Sequence, residues 1–139
     1  MKVFLDANII LDKYDIKRPF HQHSIKAYEY LIANAKLFTS CDLITTIYYL
    51  NSKVDKKQAL LNIQFINKTL KVIEFSNKEI NKTCDLMIKD SDYKDLENTI
   101  QYIMAKKLNC DLIISNDNDF VSKDIELITS EKFCKKYIK

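Results

Sequence analysis

A three-layer α/β/α sandwich around a mostly parallel five-stranded sheet is the fold this sequence predicts. Three observations point to it: short apolar runs recur along the chain, they alternate with segments of helical periodicity, and no hairpin signal joins one run to the next. One domain spanning residues 1–139 is expected, because this length suffices for a single core and neither a linker nor an internal repeat interrupts the pattern.

Val3-Phe4-Leu5 reads as a buried parallel strand that stops at Asp6, with Asn8 and a second apolar stretch from Ile9 to Leu11 beyond it. Pro19 marks a loop, and Ile25, Tyr28, Leu31, Ile32 and Ala35 then recur at helical spacing, which predicts an amphipathic helix over about 21–35. A brief strand over 36–39 leads to a helix over about 42–52 carrying Ile44, Ile47 and Tyr48. Another helix over about 55–69 carries Ile63, Ile66 and Leu70.

Residues 71–75 form a third strand in this reading. Ser76-Asn77-Lys78-Glu79 spells a capping box ahead of a helix bearing Ile80, Cys84, Met87 and Ile88. The polar turn at 92–95 can cap the next helix, whose buried stripe is read as Leu96, Ile100, Ile103, Met104 and Leu108. Leu112-Ile113-Ile114 is a fourth strand and residues 125–128 a fifth, with Ser130 capping a closing helix that runs to about Tyr137.

Composition narrows the function. Hydrophobic residues make up 47% and charged residues 29%, as in ordinary globular proteins. No apolar run approaches the roughly 18 residues of a spanning helix, and the N-terminus passes from Lys2 straight into a strand, so a cytoplasmic location is expected. Glycine is absent, which removes the P-loop and the dinucleotide fingerprint. Cys41, Cys84, Cys110 and Cys134 form no CxxC pair and read as small hydrophobes in a reducing compartment. The net charge of +3 is a mild pull toward polyanions, and Arg18 is the sole arginine, so phosphate contacts would fall mainly to lysines.

Asp6 and Asp117 both follow apolar strands, and in an open parallel sheet ligands bind beyond the carboxyl ends of the strands. Each also has an ordinary role open to it, capping a helix or binding turn amides. Glu97 and Asn98 open a helix that can project into the same space, or they form a solvated helix start favoured by the macrodipole. Oxygen donors without histidine or cysteine suit Mg²⁺ or Mn²⁺ and hence phosphodiester chemistry, in which an ion activates water and the protein needs no nucleophile of its own.

Asp6-Ala7-Asn8-Ile9-Ile10-Leu11-Asp12 resembles the D-T/A-N-V-I-L-D opening of PIN domains. The segment Asp95-Leu96-Glu97-Asn98-Thr99-Ile100-Gln101-Tyr102 is similar to their D-[FL]-E-D-A-[LI]-Q-Y stretch, and Ser115-Asn116-Asp117-Asn118-Asp119-Phe120 resembles T-R-D-x-D-F. The likeness runs over essentially the full chain and implies a metal-dependent endoribonuclease, the VapC-like toxin of a type II toxin-antitoxin pair. The implied partners are RNA, a cognate antitoxin and a second copy of the chain.

Carried over by position, Asp6, Glu97, Asn98 and Asp117 match the catalytic set, and Asp6, Asn98 and Asp117 the metal ligands. Asn8 and Ser115 match residues that orient the carboxylates, and Asp119 an accessory acid. Thr46 falls where many relatives place a glutamate. Asn98 departs from the pattern, because the matching position is normally aspartate, and an amide oxygen ligates without charge.

Three other readings compete. A haloacid-dehalogenase-type phosphatase needs a second aspartate two residues after the first, where Asn8 stands. A response-regulator receiver needs an acceptor aspartate after a mid-chain apolar strand, a description that neither Asp42 nor Asp55 is expected to meet. A PIN-like domain that binds RNA or a protein without cutting is the alternative that Asn98 favours. Met87, Met104 and at least one of Tyr48 and Tyr49 are expected in the core, and His21 and His23 on the surface.

Overall fold

The computed structural model describes residues 1–138. In chain order the elements are β1 (Lys2–Leu5), α1 (Ala7–Tyr14), α2 (His21–Asn34), β2 (Lys36–Ser40), α3 (Asp42–Asn51) and α4 (Lys56–Thr69). They continue with β3 (Lys71–Ile73), α5 (Asn77–Lys89), α6 (Leu96–Lys107), β4 (Leu112–Ile114), β5 (Glu126–Ile128) and α7 (Ser130–Tyr137).

The strands lie in the order β3-β2-β1-β4-β5, and every neighbouring pair is parallel. Period-two alternation explains why the strands read as unbroken apolar runs. Val3, Leu5, Leu37, Leu112 and Ile114 face a core completed by Ile9 and Ile10 of α1, Tyr28 and Leu31 of α2, Ile47 of α3 and Phe133 of α7. Phe4, Phe38 and Ile113 point the other way, against Ile100 and Met104 of α6 with Tyr93 and Phe120. Helices thus cover both faces of the sheet, which is the predicted sandwich.

The sheet grows outward from β1 through β2 to β3, then resumes on the other flank of β1 with β4 and β5. The order therefore reverses between β1 and β4. Connections leave these two strands in opposite directions, and a crevice opens beyond their carboxyl ends. Among the described residues no helix is long and apolar enough to cross a membrane.

Several local expectations change. The stretch Ile9 to Leu11 lies inside α1, a helix that begins immediately after Asp6. β3 ends at Ile73 rather than residue 75, and β5 begins at Glu126 rather than residue 125. The cap of α7 is Thr129, whose side chain accepts from the Lys132 N–H, while Ser130 is the first helical residue. The Ser76–Glu79 capping box forms as expected.

The stripes shift too: Leu96, Ile80 and Ile88 are exposed, because periodicity marks a face but not what covers it. Met104 is fully buried, Met87 half-buried against the second core, Tyr48 half-buried and Tyr49 exposed. His21 and His23 are half-buried, and His21 Nδ1 lies 2.7 Å from the Asp12 carbonyl oxygen. Of the four free cysteines only Cys110 is fully buried, and Cys84 is exposed.

Candidate functional site

Asp6 stands at the N-cap position of α1 with extended backbone, yet its side chain makes no capping bond. The carboxylate turns instead toward β4. Its Oδ2 accepts from the Ser115 hydroxyl at 2.7 Å and from the Asn8 amide at 2.9 Å. The ordinary helix-capping role is therefore not what holds it. Only 4% exposed, Asp6 has its carboxyl pushed above the usual 3.8, chiefly by burial and further by the charge of Asp117. The Ser115 hydroxyl, the nearby Gln101 amide and the Ala7 N–H pull the other way.

Asp117 follows β4 across the crevice and divides its two oxygens. Oδ1 accepts the Asp119 N–H at 2.9 Å, the turn-forming role open to any such aspartate, while Oδ2 accepts the Asn98 side-chain amide at 3.0 Å. Its own N–H donates to Ser115 Oγ at 3.1 Å, so Ser115 touches both aspartates.

Asn98 reaches Asp117 because α6 starts at the crevice: the Asp95 side chain caps the helix by accepting the Asn98 N–H at 2.8 Å. Glu97, one residue earlier, is exposed. Its carboxyl is held above the usual 4.5 by partial burial and then by Asp42, Asp6, Asp95 and Asp117, in that order. The fold thus brings Asp6, Asn8, Glu97, Asn98, Ser115 and Asp117 together.

Asp119 is exposed and borders a groove of about 620 Å³ whose walls include Asp92, Asp95, Asp117 and Lys123. Thr46 is half-buried on α3 and makes no hydrogen bond to these groups among the described residues.

Three neighbours went unrecognised in the sequence. Asp42 does follow a mid-chain strand, since β2 ends at Ser40, and it is the foremost acid acting on Glu97. Gln101, one turn along α6 from Glu97, is fully buried against Asp6. Asn116 looks like a turn residue but is the hub of a polar network. Its N–H donates to Asn8 Oδ1, its amide nitrogen to Asp12 and Ser130, and its amide oxygen accepts the Ser130 N–H. Burial of polar partners leaves no local signal except an aspartate inside an apolar run, which Asp12 supplies.

A parallel α/β sheet with carboxylates converging at its topological switch point defines a class of site suited to hard cations and phosphate chemistry. The PIN domain model matches residues 3–126, and the chain belongs to the PIN domain family. It is 48% identical over 137 residues to Ribonuclease VapC1 of Aquifex aeolicus (strain VF5), covering 98% of this chain and 95% of that one.

Solved structures of similar fold include VapBC2 from Rickettsia felis bound to a DNA fragment from their promoter, with a TM-score of 0.72 and 17% identity over 93% of this chain and 98% of that one. Another is VapC20 of Mycobacterium tuberculosis, described as a sarcin-ricin loop cleaving toxin. Its TM-score is 0.68, with 13% identity over 85% of this chain and 92% of that one.

Proposed function

We infer that this chain is a divalent-metal-dependent endoribonuclease and the toxin of a toxin-antitoxin pair. The observation that carries the reading is the meeting of Asp6 and Asp117, with Glu97 and Asn98, at the switch point of a PIN domain whose 48%-identical relative is a ribonuclease. One unit over residues 1–139, in the cytoplasm, is the setting that fits.

The donor set is oxygen-only, which suits Mg²⁺ or Mn²⁺. Among the described residues no three His, Cys, Asp or Glu side chains stand close enough to hold an ion by themselves, so water must complete the coordination, as is usual for magnesium. The Gln101 amide, enclosed beside Asp6 and without a partner in full hydrogen-bonding geometry among the described residues, is a polar group that ordered water at such a site would satisfy.

Asp6 and Asp117 are assigned as charged ligands, and Asn98 as a neutral one through its amide oxygen. Ser115 and Asn8 fix the Asp6 carboxylate by their hydrogen bonds. Glu97, at the crevice with its carboxyl held above the ordinary range, is placed to take up or release a proton. Asp119 is assigned as an accessory acid, and Thr46 has no role that its contacts support. When bound, the ion would supply an activated water and offset phosphodiester charge, leaving 5′-phosphate and 3′-hydroxyl ends.

RNA is the substrate on this reading. A cognate antitoxin is a protein partner, as the VapBC structures of similar fold suggest, and a second copy of the chain is the other partner on this reading. A basic side chain from the antitoxin would compensate the same carboxylates and inhibit.

The test is RNA cleavage with and without Mg²⁺ or Mn²⁺, followed by end-group analysis. Metal-stimulated cleavage with 5′-phosphate products is expected, and a 2′,3′-cyclic phosphate would overturn the mechanism. The Asn98-to-Asp117 bond favours one second reading, a domain that binds RNA without cutting it. RNA retained but intact at saturating Mn²⁺ would support that reading.

A further inference from the structure

Asp42 opens α3 two residues beyond the end of β2, the strand beside β1. With Asp6 after β1 and Asp117 after β4, three adjacent strands each deliver an aspartate to the same edge of the sheet. Asp42 Oδ1 is closed off from solvent and has no hydrogen-bond partner among the described residues. A carboxylate oxygen in that condition has lost its water and gained nothing in exchange.

The surroundings do not neutralise it. Asp6, Asp42, Asp95, Glu97 and Asp117 interact with one another or with Glu97, and none of the five pairs with a lysine, arginine or histidine among the described residues. Gln101 supplies an independent sign of a missing ligand. It is fully enclosed and set against Asp6, on whose carboxylate its amide acts, yet among the described residues neither its Oε1 nor its Nε2 has a partner in full hydrogen-bonding geometry. Uncompensated carboxylates around an orphaned amide call for a hydrated cation.

We propose that Asp42 serves the cation site through its charge and the waters of the ion rather than as a third direct carboxylate ligand, supplying from the start of α3 the negative charge that a hydroxyl at Thr46 does not provide. Residues 42 and 46 are one helical turn apart and share a face of α3. A short acid at the helix start and a longer one a turn further on can therefore serve the same neighbourhood. Asp42 also adds charge that Asn98 lacks. The inference rests on the acid crevice being a divalent-cation site.

An acid in the first turn of a helix has an ordinary use, favouring the macrodipole. That role makes no prediction about metal affinity, which is what separates the two. The experiment is calorimetric titration of Mn²⁺ into the metal-stripped full chain. Compared are the wild type, Asp42→Asn, the double variant Asp42→Asn with Thr46→Glu, and Glu131→Gln, which changes a first-turn acid of α7 that is already paired with Lys135.

Asp42→Asn is expected to weaken Mn²⁺ binding at least tenfold, Thr46→Glu to restore it in the double variant, and Glu131→Gln to leave it unchanged. Circular dichroism of each metal-free form checks the fold, and Asp42→Ser undergoes the same titration should the amide disturb it. Wild-type affinity retained in a folded Asp42 variant overturns the proposal while leaving the crevice reading intact. A wild-type chain that binds no Mn²⁺ removes the crevice reading, and this proposal with it.

Discussion

The Asn98 side-chain amide donates to Asp117 Oδ2 at 3.0 Å, so the residue proposed to stand in for a PIN-domain aspartate stabilises a neighbouring carboxylate by hydrogen bonding. The bond satisfies that one Asp117 oxygen in the metal-free protein. It also occupies an oxygen that an incoming ion would need, and turning the amide to present its own oxygen would sacrifice the bond.

Asn98→Asp is therefore expected to tighten Mn²⁺ binding at least tenfold and to raise RNA cleavage by a similar factor, about 1.4 kcal/mol in each case. The same substitution places an unbonded carboxylate beside Asp117, so the metal-free protein should lose stability that saturating Mn²⁺ restores. Side-by-side titration and cleavage assays check this. Equal affinity and turnover in the two forms would place residue 98 outside the site.

Asp6→Ala and Asp117→Ala are each expected to abolish metal-dependent cleavage with the fold retained. The two should differ in metal-free stability. Asp6 is buried and its ionised form disfavoured, so the isosteric Asp6→Asn removes a charge that burial penalises and should raise the metal-free melting temperature. Thermal melts in chelator check the point, and a large drop for Asp6→Asn would show that its bonds to Ser115 and Asn8 outweigh the desolvation.

The pH dependence follows from the direction of two shifts. Asp6 and Glu97 both ionise above their ordinary values of 3.8 and 4.5 in the folded protein. For a raised pKa, the stabilising contribution is full below the unfolded value and is lost as pH rises through the folded one. The stability advantage of Asp6→Asn over wild type should accordingly grow as pH rises through the folded pKa of Asp6. Mn²⁺ competes with the same protons, so its affinity should climb over that window with proton release on binding. An affinity that stays flat as pH rises above the ordinary carboxylate range would contradict the assignment.

Much of this was legible in the chain because parallel strands buried on both faces must read as short apolar runs, and the residue ending each run must sit at the sheet edge. That logic finds Asp6 after Leu5 and Asp117 shortly after Ile114. It fails at Asp42, since β2 finishes with Thr39-Ser40, polar residues that are buried only by the completed fold. It also fails for α1, whose start has neither an acidic first turn nor a side-chain cap, so that Ile9 to Leu11 looks like one more apolar run. The exposure of Leu96 and Ile88 is likewise a tertiary fact, since a helical stripe does not say whether a partner covers it.

Asn116 provides the last prediction. Its side chain joins Asp12 of α1, Ser24 of α2 and Ser130 of α7, and its backbone N–H is held by Asn8 Oδ1, one residue before Asp117. Arg18 meets the other Asp12 oxygen at 2.5 Å, so Asp12, only 2% exposed, depends on groups from several elements for its compensation. Asn116→Ala removes the donor to Asp12 Oδ2 and the acceptor of the Ser130 N–H, and should cost about 2–3 kcal/mol in urea unfolding. Asn116→Asp should be worse at neutral pH, because a second carboxylate then faces Asp12, and should recover as acid protonates one of the pair. The tether lies directly before Asp117, so Asn116→Ala should also weaken Mn²⁺ binding without changing any proposed ligand. A variant with wild-type stability and affinity would show that the turn holds Asp117 unaided.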